Sequence, residues 1–413
     1  MEKRRAPKLR FQGFTDDWEQ RKLRDLVKEI KRNDPNSSAP IMMITANDGF
    51  INQSERYSTD NAGKSLQKYI LLQRGELAYN HGASKLRPYG SCFALIDEEN
   101  ARIPYVYHCF SCGNENPEFL SLVLNSKAVE QQLRRLVSSG ARMDGLLNIS
   151  FDDYTSIPIM IPNRNEQKQI ADYIHTLNGL ITLHQRKYDM LQKVKKSMLE
   201  KMFPKNGSKV PEIRFAGFTD DWEQRKLGDV VQRITRKNEN MESSLPLTIS
   251  AQYGLIDQNE FFDKRIASKD VSDYYLVYRG EFAYNKSTST DAPWGAIKRL
   301  DRYEKGVLST LYIVFRIQNE EETDSDYLVS YYDTELWHNG VQAIAAEGAR
   351  NHGLLNIAPN DFFETNLLMP ESVNEQRMIG TFFKKLDHLI TLHQRKLEKL
   401  KKLKKSMLEE MFV

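Results

Sequence analysis

Eight residues, Leu180-Ile181-Thr182-Leu183-His184-Gln185-Arg186-Lys187, occur a second time as Leu389-Ile390-Thr391-Leu392-His393-Gln394-Arg395-Lys396. Identity over that length within one chain means duplication, so the fold must hold the same element twice. Around both copies the apolar positions step by four and three residues: Ile170, Ile174, Leu177, Ile181, His184, Tyr188 and Leu191, then Ile379, Phe383, Leu386, Ile390, His393, Leu397 and Leu400. This is the narrow seam of a helix built to pair with another helix. Both copies end in Lys-Lys-Ser-Met-Leu-Glu, at 195–200 and 404–409, so the helices are expected to run from near 165 to 203 and from near 374 to 412. Each would be about 58 Å long at roughly 1.5 Å per residue. A long surface helix lying on its own domain is the plain alternative, but so thin a stripe gains little by such burial, and each copy is the natural partner of the other.

The duplication covers the whole chain. Phe14-Thr15-Asp16-Asp17-Trp18-Glu19-Gln20-Arg21-Lys22-Leu23 returns at 218–227, Arg74-Gly75-Glu76-Leu77-Ala78-Tyr79-Asn80 returns with one change at 279–285, and Gly145-Leu146-Leu147-Asn148-Ile149 returns at 353–357. Within each globular half the pattern is mixed. The stretch 18–31 reads as a short amphipathic helix, and short β-prone runs follow at 69–72, 92–96 and 105–110, with 311–317 in the second copy. A helix is expected over 117–136, stopped at Gly140, with a counterpart at 326–346; a last strand at 157–161 or 366–369 ends at Pro162 or Pro370.

The expected fold is therefore mixed α/β: two pseudo-symmetric α/β domains, 1–162 and 205–371, separated by a long two-helix antiparallel coiled coil formed by 163–204 and 372–413. The polar linker 204–212 spans at most about 30 Å, which requires the second helix to run back along the first and puts the two domains at opposite ends of the rod. The seam is assigned to Ile174, Leu177, Ile181, His184 and Tyr188, and to Phe383, Leu386, Ile390, His393 and Leu397. His184 and His393 occupy equivalent seam positions, where a half-polar residue fixes register; a metal or proton-transfer pair is the sharper reading of the same two residues.

Composition narrows the function. At 413 residues, 40% hydrophobic and 28% charged, the chain reads as a soluble globular protein of two domains. It has no run of 18 apolar residues and no apolar signal core after its basic start, so a membrane association is not expected and a cytoplasmic location is. A net charge of +3 is too small to decide a polyanionic partner, and any nucleic-acid surface has to be a local patch. The three cysteines, Cys92, Cys109 and Cys112, argue for a reducing compartment. Cys109 and Cys112 have the spacing of half a zinc site, but no second pair follows, so they read as buried thiols and no metal is expected. Gly63-Lys64-Ser65 ends like a phosphate loop, yet Ser58 stands where the loop needs its first glycine. No Gly-x-Gly-x-x-Gly, His-Glu-x-x-His or Gly-x-Ser-x-Gly occurs, and Asn116-Pro117-Glu118 is not the Asn-Pro-Pro-aromatic motif of adenine methyltransferases. No catalytic residues are expected, and no cofactor bound by this chain.

What differs between the copies is the loop after the shared Tyr-Asn. It reads His81-Gly82-Ala83-Ser84-Lys85-Leu86-Arg87-Pro88-Tyr89 in one and Lys286-Ser287-Thr288-Ser289-Thr290-Asp291-Ala292-Pro293-Trp294 in the other. Such side chains bond phosphates and base edges, although solvated turns have the same composition. The candidates for DNA contact are Asn80, His81, Ser84, Lys85, Arg87 and Tyr89, with Asn285, Lys286, Ser287, Thr288 and Trp294 in the second copy. Arg142 and Arg350, in the repeated Gly-Ala-Arg, are candidates for phosphate contact, with a structural arginine at a helix end the equal alternative. A common frame with different polar loops suits a reader of two half-sites on duplex DNA, whose major groove returns to one face every 34 Å or so.

The duplicated openings Pro7-Lys8-Leu9-Arg10-Phe11-Gln12-Gly13-Phe14 and Pro211-Glu212-Ile213-Arg214-Phe215-Ala216-Gly217-Phe218, with Asn165-Glu166-Gln167 and Asn374-Glu375-Gln376 at the helix starts, resemble the specificity subunit of type I restriction-modification enzymes. The resemblance implies that each globular half is a target recognition domain reading one half of a split double-stranded DNA site. It implies that the paired helices are a spacer and a docking surface for two modification subunits, methyltransferases that use S-adenosylmethionine. Restriction subunits would supply ATP- and Mg-dependent translocation and cleavage. Two other classes stay open: a coiled-coil scaffold that binds no DNA, and a stand-alone methyltransferase, against which the missing donor loop already counts.

Overall fold

The computed structural model of the chain describes residues 6–46, 48–56, 63–137, 146–205, 207–250, 253–264, 267–290, 292–345 and 353–412. By packing, the chain divides into two compact units, Met1–Gln185 with Arg395–Val413, and Arg186–Gln394. Each unit thus takes one part of each long helix.

In the first unit a four-stranded antiparallel sheet has the order Lys28–Glu29, His108–Ser111, Leu77–Asn80, Ser91–Ala94. Successive side chains of a strand point to opposite faces, and here that alternation builds two cores. Leu77, Tyr79, Cys92 and Phe110 face a core that includes Trp18, Phe119 and Val129, whereas Ala78 and Cys109 face a second one with Ile44, Leu72 and Ile103. Small two-stranded sheets, Met42–Thr45 with Gly49–Asn52 and Ile70–Gln73 with Asn100–Ile103, supply that second core. The other unit repeats the order with Val231–Ile234, Ile313–Ile317, Phe282–Asn285 and Ala296–Arg299. Phe282 and Tyr284 again face one core and Ala283 the other.

Two expectations from the sequence are corrected. Residues 18–31 are not a helix. Glu19–Lys22 is a strand paired antiparallel with Pro158–Ile161, Leu23–Asp25 is a single 3-10 turn, and Lys28–Glu29 joins the sheet. Trp18, Leu23, Leu26 and Ile30 are buried at a spacing that a helix would also give, but the hydrogen-bond partner is a strand from the far end of the domain, which local periodicity cannot see. The helix expected over 117–136 is two helices, Pro117–Leu124 and Lys127–Leu136. Asn125 ends the first by turning its side-chain amide onto the carbonyls of Ser121 and Cys92, and the Ser126 hydroxyl caps the second by accepting from the Val129 N–H. The counterparts are Ser325–Tyr332 and His338–Ile344.

The long helices run Arg164–Met202 and Val373–Glu410. In the first unit Ile170 shares a core with Met411 while Gln185 accepts from Lys401, so the two segments there are antiparallel. In the second, Lys195 pairs with Asp387 and Phe203 packs on Phe383, again in opposite order. Ile174, Leu177, Phe383, Leu386 and Leu397 are buried, and Ile181, His184, Tyr188, Ile390 and His393 are half-buried.

The start of each long helix is clasped to the start of its globular domain. Glu166, fully buried, accepts from Arg10 Nε at 2.6 Å and Nη2 at 2.7 Å, and from the Trp18 indole at 3.3 Å. Gln167 beside it donates to the Pro162 carbonyl and to Glu115 and accepts from the Asn116 N–H. The second copy rebuilds the clasp with Arg214, Trp222, Glu375 and Gln376. Bidentate geometry is what makes a buried carboxylate tolerable, since the fork satisfies both oxygens at once.

Candidate nucleic-acid interface

The loop that differs between copies leaves the central strand Leu77–Asn80 and re-enters the sheet at Ser91–Ala94. Its base is held the same way in both units. The Tyr79 hydroxyl donates to the Tyr89 carbonyl at 2.6 Å, and the Tyr284 hydroxyl to the Trp294 carbonyl at 2.8 Å. Burial pushes both phenols above the usual tyrosine range, so they stay protonated donors. Asn80 and Asn285 close the turn by accepting from the Gly82 and Ser287 N–H groups. Gly90, at φ +80°, and Gly295, at φ +81°, end the loop, and a Cβ at either would strike the carbonyl of that asparagine.

A second segment closes against the first: Gly82 bridges to Leu146, and Ser287 to Leu354. His81 lies buried between them, its Nδ1 2.8 Å from the Leu147 carbonyl and its Nε2 2.7 Å from the Val106 carbonyl, with its ring stacked on His108. His108 in turn is pushed below the ordinary histidine range by burial and then by His81 beside it. Lys286 takes the place of His81 in the second copy and donates to the Ile357 carbonyl at 3.3 Å, with burial lowering its pKa. Thr288 is half-buried and donates through both its N–H and its hydroxyl to the Gly353 carbonyl.

The residues singled out from sequence therefore divide into a frame and a rim. Asn80, His81, Tyr89, Asn285, Lys286, Thr288 and Trp294 make contacts inside their unit, with Tyr89 and Trp294 packed against the core. Ser84 and Lys85 are exposed at the tip of the first loop, beside Leu86 at 64% exposure, and Ser287 is exposed at the start of the second. Arg87 is half-buried and donates to the Asn125 carbonyl at 2.8 Å. Arg142 and Arg350 lie outside the described residues. The three cysteines are free and buried, which raises Cys92 to about 12 and Cys112 to about 11, far from thiolate or metal-ligand character. Among the described residues no group of three or more His, Cys, Asp or Glu is arranged to hold a metal, and no helix is long and apolar enough to cross a membrane.

What sequence reasoning missed is charge. Asp333, at the end of the Ser325–Tyr332 helix, binds Lys195 at 2.7 Å and Lys298 at 2.6 Å, and Lys195 also binds Asp387 at 2.6 Å. Burial opposes ionisation of Asp333, but Lys298 and Lys195 outweigh it and hold the carboxyl down to about 2. The available signal was Lys195, repeated at 404 on the polar side of the seam.

Fold and site define a class: a duplicated α/β chain in which one frame presents two different polar loops, each beside long antiparallel helical segments. Comparison with known proteins makes this specific. Residues 15–193 match the family model described as Type I restriction modification DNA specificity domain, and the relatives and solved structures similar to the chain are specificity subunits of type I restriction-modification systems. The Putative type I restriction enzyme MjaX specificity subunit of Methanocaldococcus jannaschii is 22% identical over 95% of this chain and 92% of its own length. The Type I restriction enzyme HindI specificity subunit of Haemophilus influenzae is 25% identical over 45% of this chain and 41% of its own. The crystal structure of the type I restriction-modification system S subunit from M. genitalium superposes with a TM-score of 0.61 over 99% of both chains at 13% identity, a likeness of fold.

Proposed function

We propose that this chain is the sequence-specific DNA-binding subunit of a type I restriction-modification system and reads a bipartite site with one unit per half-site. The observation that carries this reading is the loop after Tyr79-Asn80 and Tyr284-Asn285: the hydroxyl, the Asx turn and the closing glycine are the same, while the tips differ. Two heads of one design with different tips would read two different half-sites. Ser84 and Lys85 at the tip of the first loop, and Ser287 at the start of the second, are the exposed residues placed to reach base edges or phosphates.

The long helices carry the assembly in this reading. Leu180 and Leu183 are 40% and 46% exposed in the first copy, and Leu389 and Leu392 are 41% and 38% exposed in the second, beside the half-buried seam positions Ile181 and Ile390. The same two leucines exposed at equivalent places suit two copies of one partner, and here each would dock a modification subunit. Those subunits would bring S-adenosylmethionine and the methyl transfer, and restriction subunits would bring ATP, Mg and cleavage; this chain supplies recognition and no chemistry.

The test is selection from a random duplex library by this chain co-expressed with its neighbouring methyltransferase, with bound DNA sequenced and its adenine methylation mapped. Two short blocks at a fixed separation are expected, and exchanging residues 1–162 for those of another such chain should change one block alone. A folded complex that enriches no sequence would leave only a scaffold.

A further inference from the structure

The two units differ in charge at one equivalent place. In the second, Lys195 and Lys298 meet Asp333 and Asp387, so two cations face two carboxylates. The repeat maps Lys195 onto Lys404, Asp333 onto Asn125, Asp387 onto Asn178 and Lys298 onto Phe93. Both carboxylates have become amides, and Lys404 remains. Arg87 supplies a second cation from the variable loop: its guanidinium donates to the Asn125 carbonyl at 2.8 Å, at the end of the Pro117–Leu124 helix.

Arg87 and Lys404 are both half-buried, and neither has an ion pair among the described residues. Burial lowers the pKa of each, and for Lys404 the repulsion of Arg87 lowers it further. Glu130 attracts Arg87 from a distance without pairing with it. Two like charges withdrawn from water with no counterion are costly, and in the other unit the sequence provides that counterion internally.

We infer that Arg87 and Lys404, one held on the Asn125 carbonyl and the other the repeat counterpart of Lys195, form a binding niche for a phosphate anion, in the place where the second unit carries its own carboxylates. An Arg fork and a Lys point charge are the usual pair for phosphate oxygens. The anion is either a backbone phosphate of bound duplex or free phosphate. The duplex source rests on the proposed function, whereas the niche itself does not.

Inorganic phosphate titrated calorimetrically into the full chain, at an ionic strength held constant with chloride, should reveal one saturable site. Arg87→Met and Lys404→Met should each abolish it. Asn178→Asp places an internal carboxylate at an exposed position, as Asp387 does in the other unit, and should abolish the site while leaving the fold intact, which separates loss of the anion from misfolding. In the assembled complex, a slope of log affinity against log salt reduced by about 1 in Arg87→Met assigns the niche to a duplex phosphate; an unchanged slope with the calorimetric site present assigns it to free phosphate. Absence of a saturable site above chloride, or a site that survives Lys404→Met, overturns the proposal. So does Asn178→Asp weakening methyltransferase assembly with no phosphate bound, since the niche would then receive a protein carboxylate. A chain that binds phosphate here but enriches no DNA would refute the recognition reading and leave the niche standing.

Discussion

Glu166 joins three parts of the first unit, the opening segment through Arg10, the entry to the sheet through Trp18, and the long helix that it begins. Its carboxylate is fully buried, and Arg10 retains 13% exposure, so removing the charge leaves a guanidinium with no counterion in a nearly dry setting. Glu166→Gln should cost about 3 kcal/mol in urea unfolding of the full chain, and Glu375→Gln about the same. A loss below about 0.5 kcal/mol would show that water replaces the partner without penalty. Gly90 is a second such position. At φ +80°, with the Asn80 carbonyl where a Cβ would lie, Gly90→Ala should destabilise the first unit by at least about 1 to 2 kcal/mol and disorder the loop, seen as faster amide exchange over 81–90. Duplication made Arg10, Trp18 and Glu166 visible in the sequence as residues that both copies keep. It did not say that they touch, because the bond between residues 10 and 166 closes over the whole domain.

Among the elements, the long helices were the most legible, since the repeated seam marks a long helix whatever it packs against and an Asn163 side chain caps the first by accepting from the Glu166 N–H. The strands Ile70–Gln73 and Asn366–Met369 were legible as short apolar runs. The entry strand Glu19–Lys22 was not, because its apolar neighbours also fit a helix and its pairing is set from a distance. Periodicity also hid the other face of the long helices, where Leu180, Leu183, Leu389 and Leu392 are exposed rather than packed. If these leucines dock modification subunits, Leu183→Glu and Leu392→Glu should each leave the fold unchanged and remove one partner. Burying a leucine is worth about 1.5 to 3 kcal/mol, so each change should weaken that partner's affinity at least tenfold, read by sedimentation or native mass spectrometry as a shift from two bound subunits to one. Retention of both subunits in the double variant would place the docking surface elsewhere.

For the molecule as a whole, duplication lets each unit serve as the control for the other. Asp333 is held at about 2, below the roughly 3.9 of an unfolded aspartate, so its pairing stabilises the second unit above about pH 4 and that stability is lost as pH falls from 4 toward 2. The shift alone is worth at most about 2.5 kcal/mol. Asp387 works the other way: burial raises its pKa against the pull of Lys195, so its protonation on acidification relieves part of the loss. The first unit has Asn125 and Asn178 at these places and so lacks these two carboxylates. Amide exchange followed separately in 205–371 and 1–162 should therefore show the second domain losing protection over this acid range by more than the first. Asp333→Asn should lower the second domain's stability at pH 6 and flatten its curve toward that of the first. Were the wild-type and Asp333→Asn curves to run parallel from pH 6 to 2, the lysines would not be what holds Asp333 ionised, and the contrast in charge between the two units would have no energetic consequence.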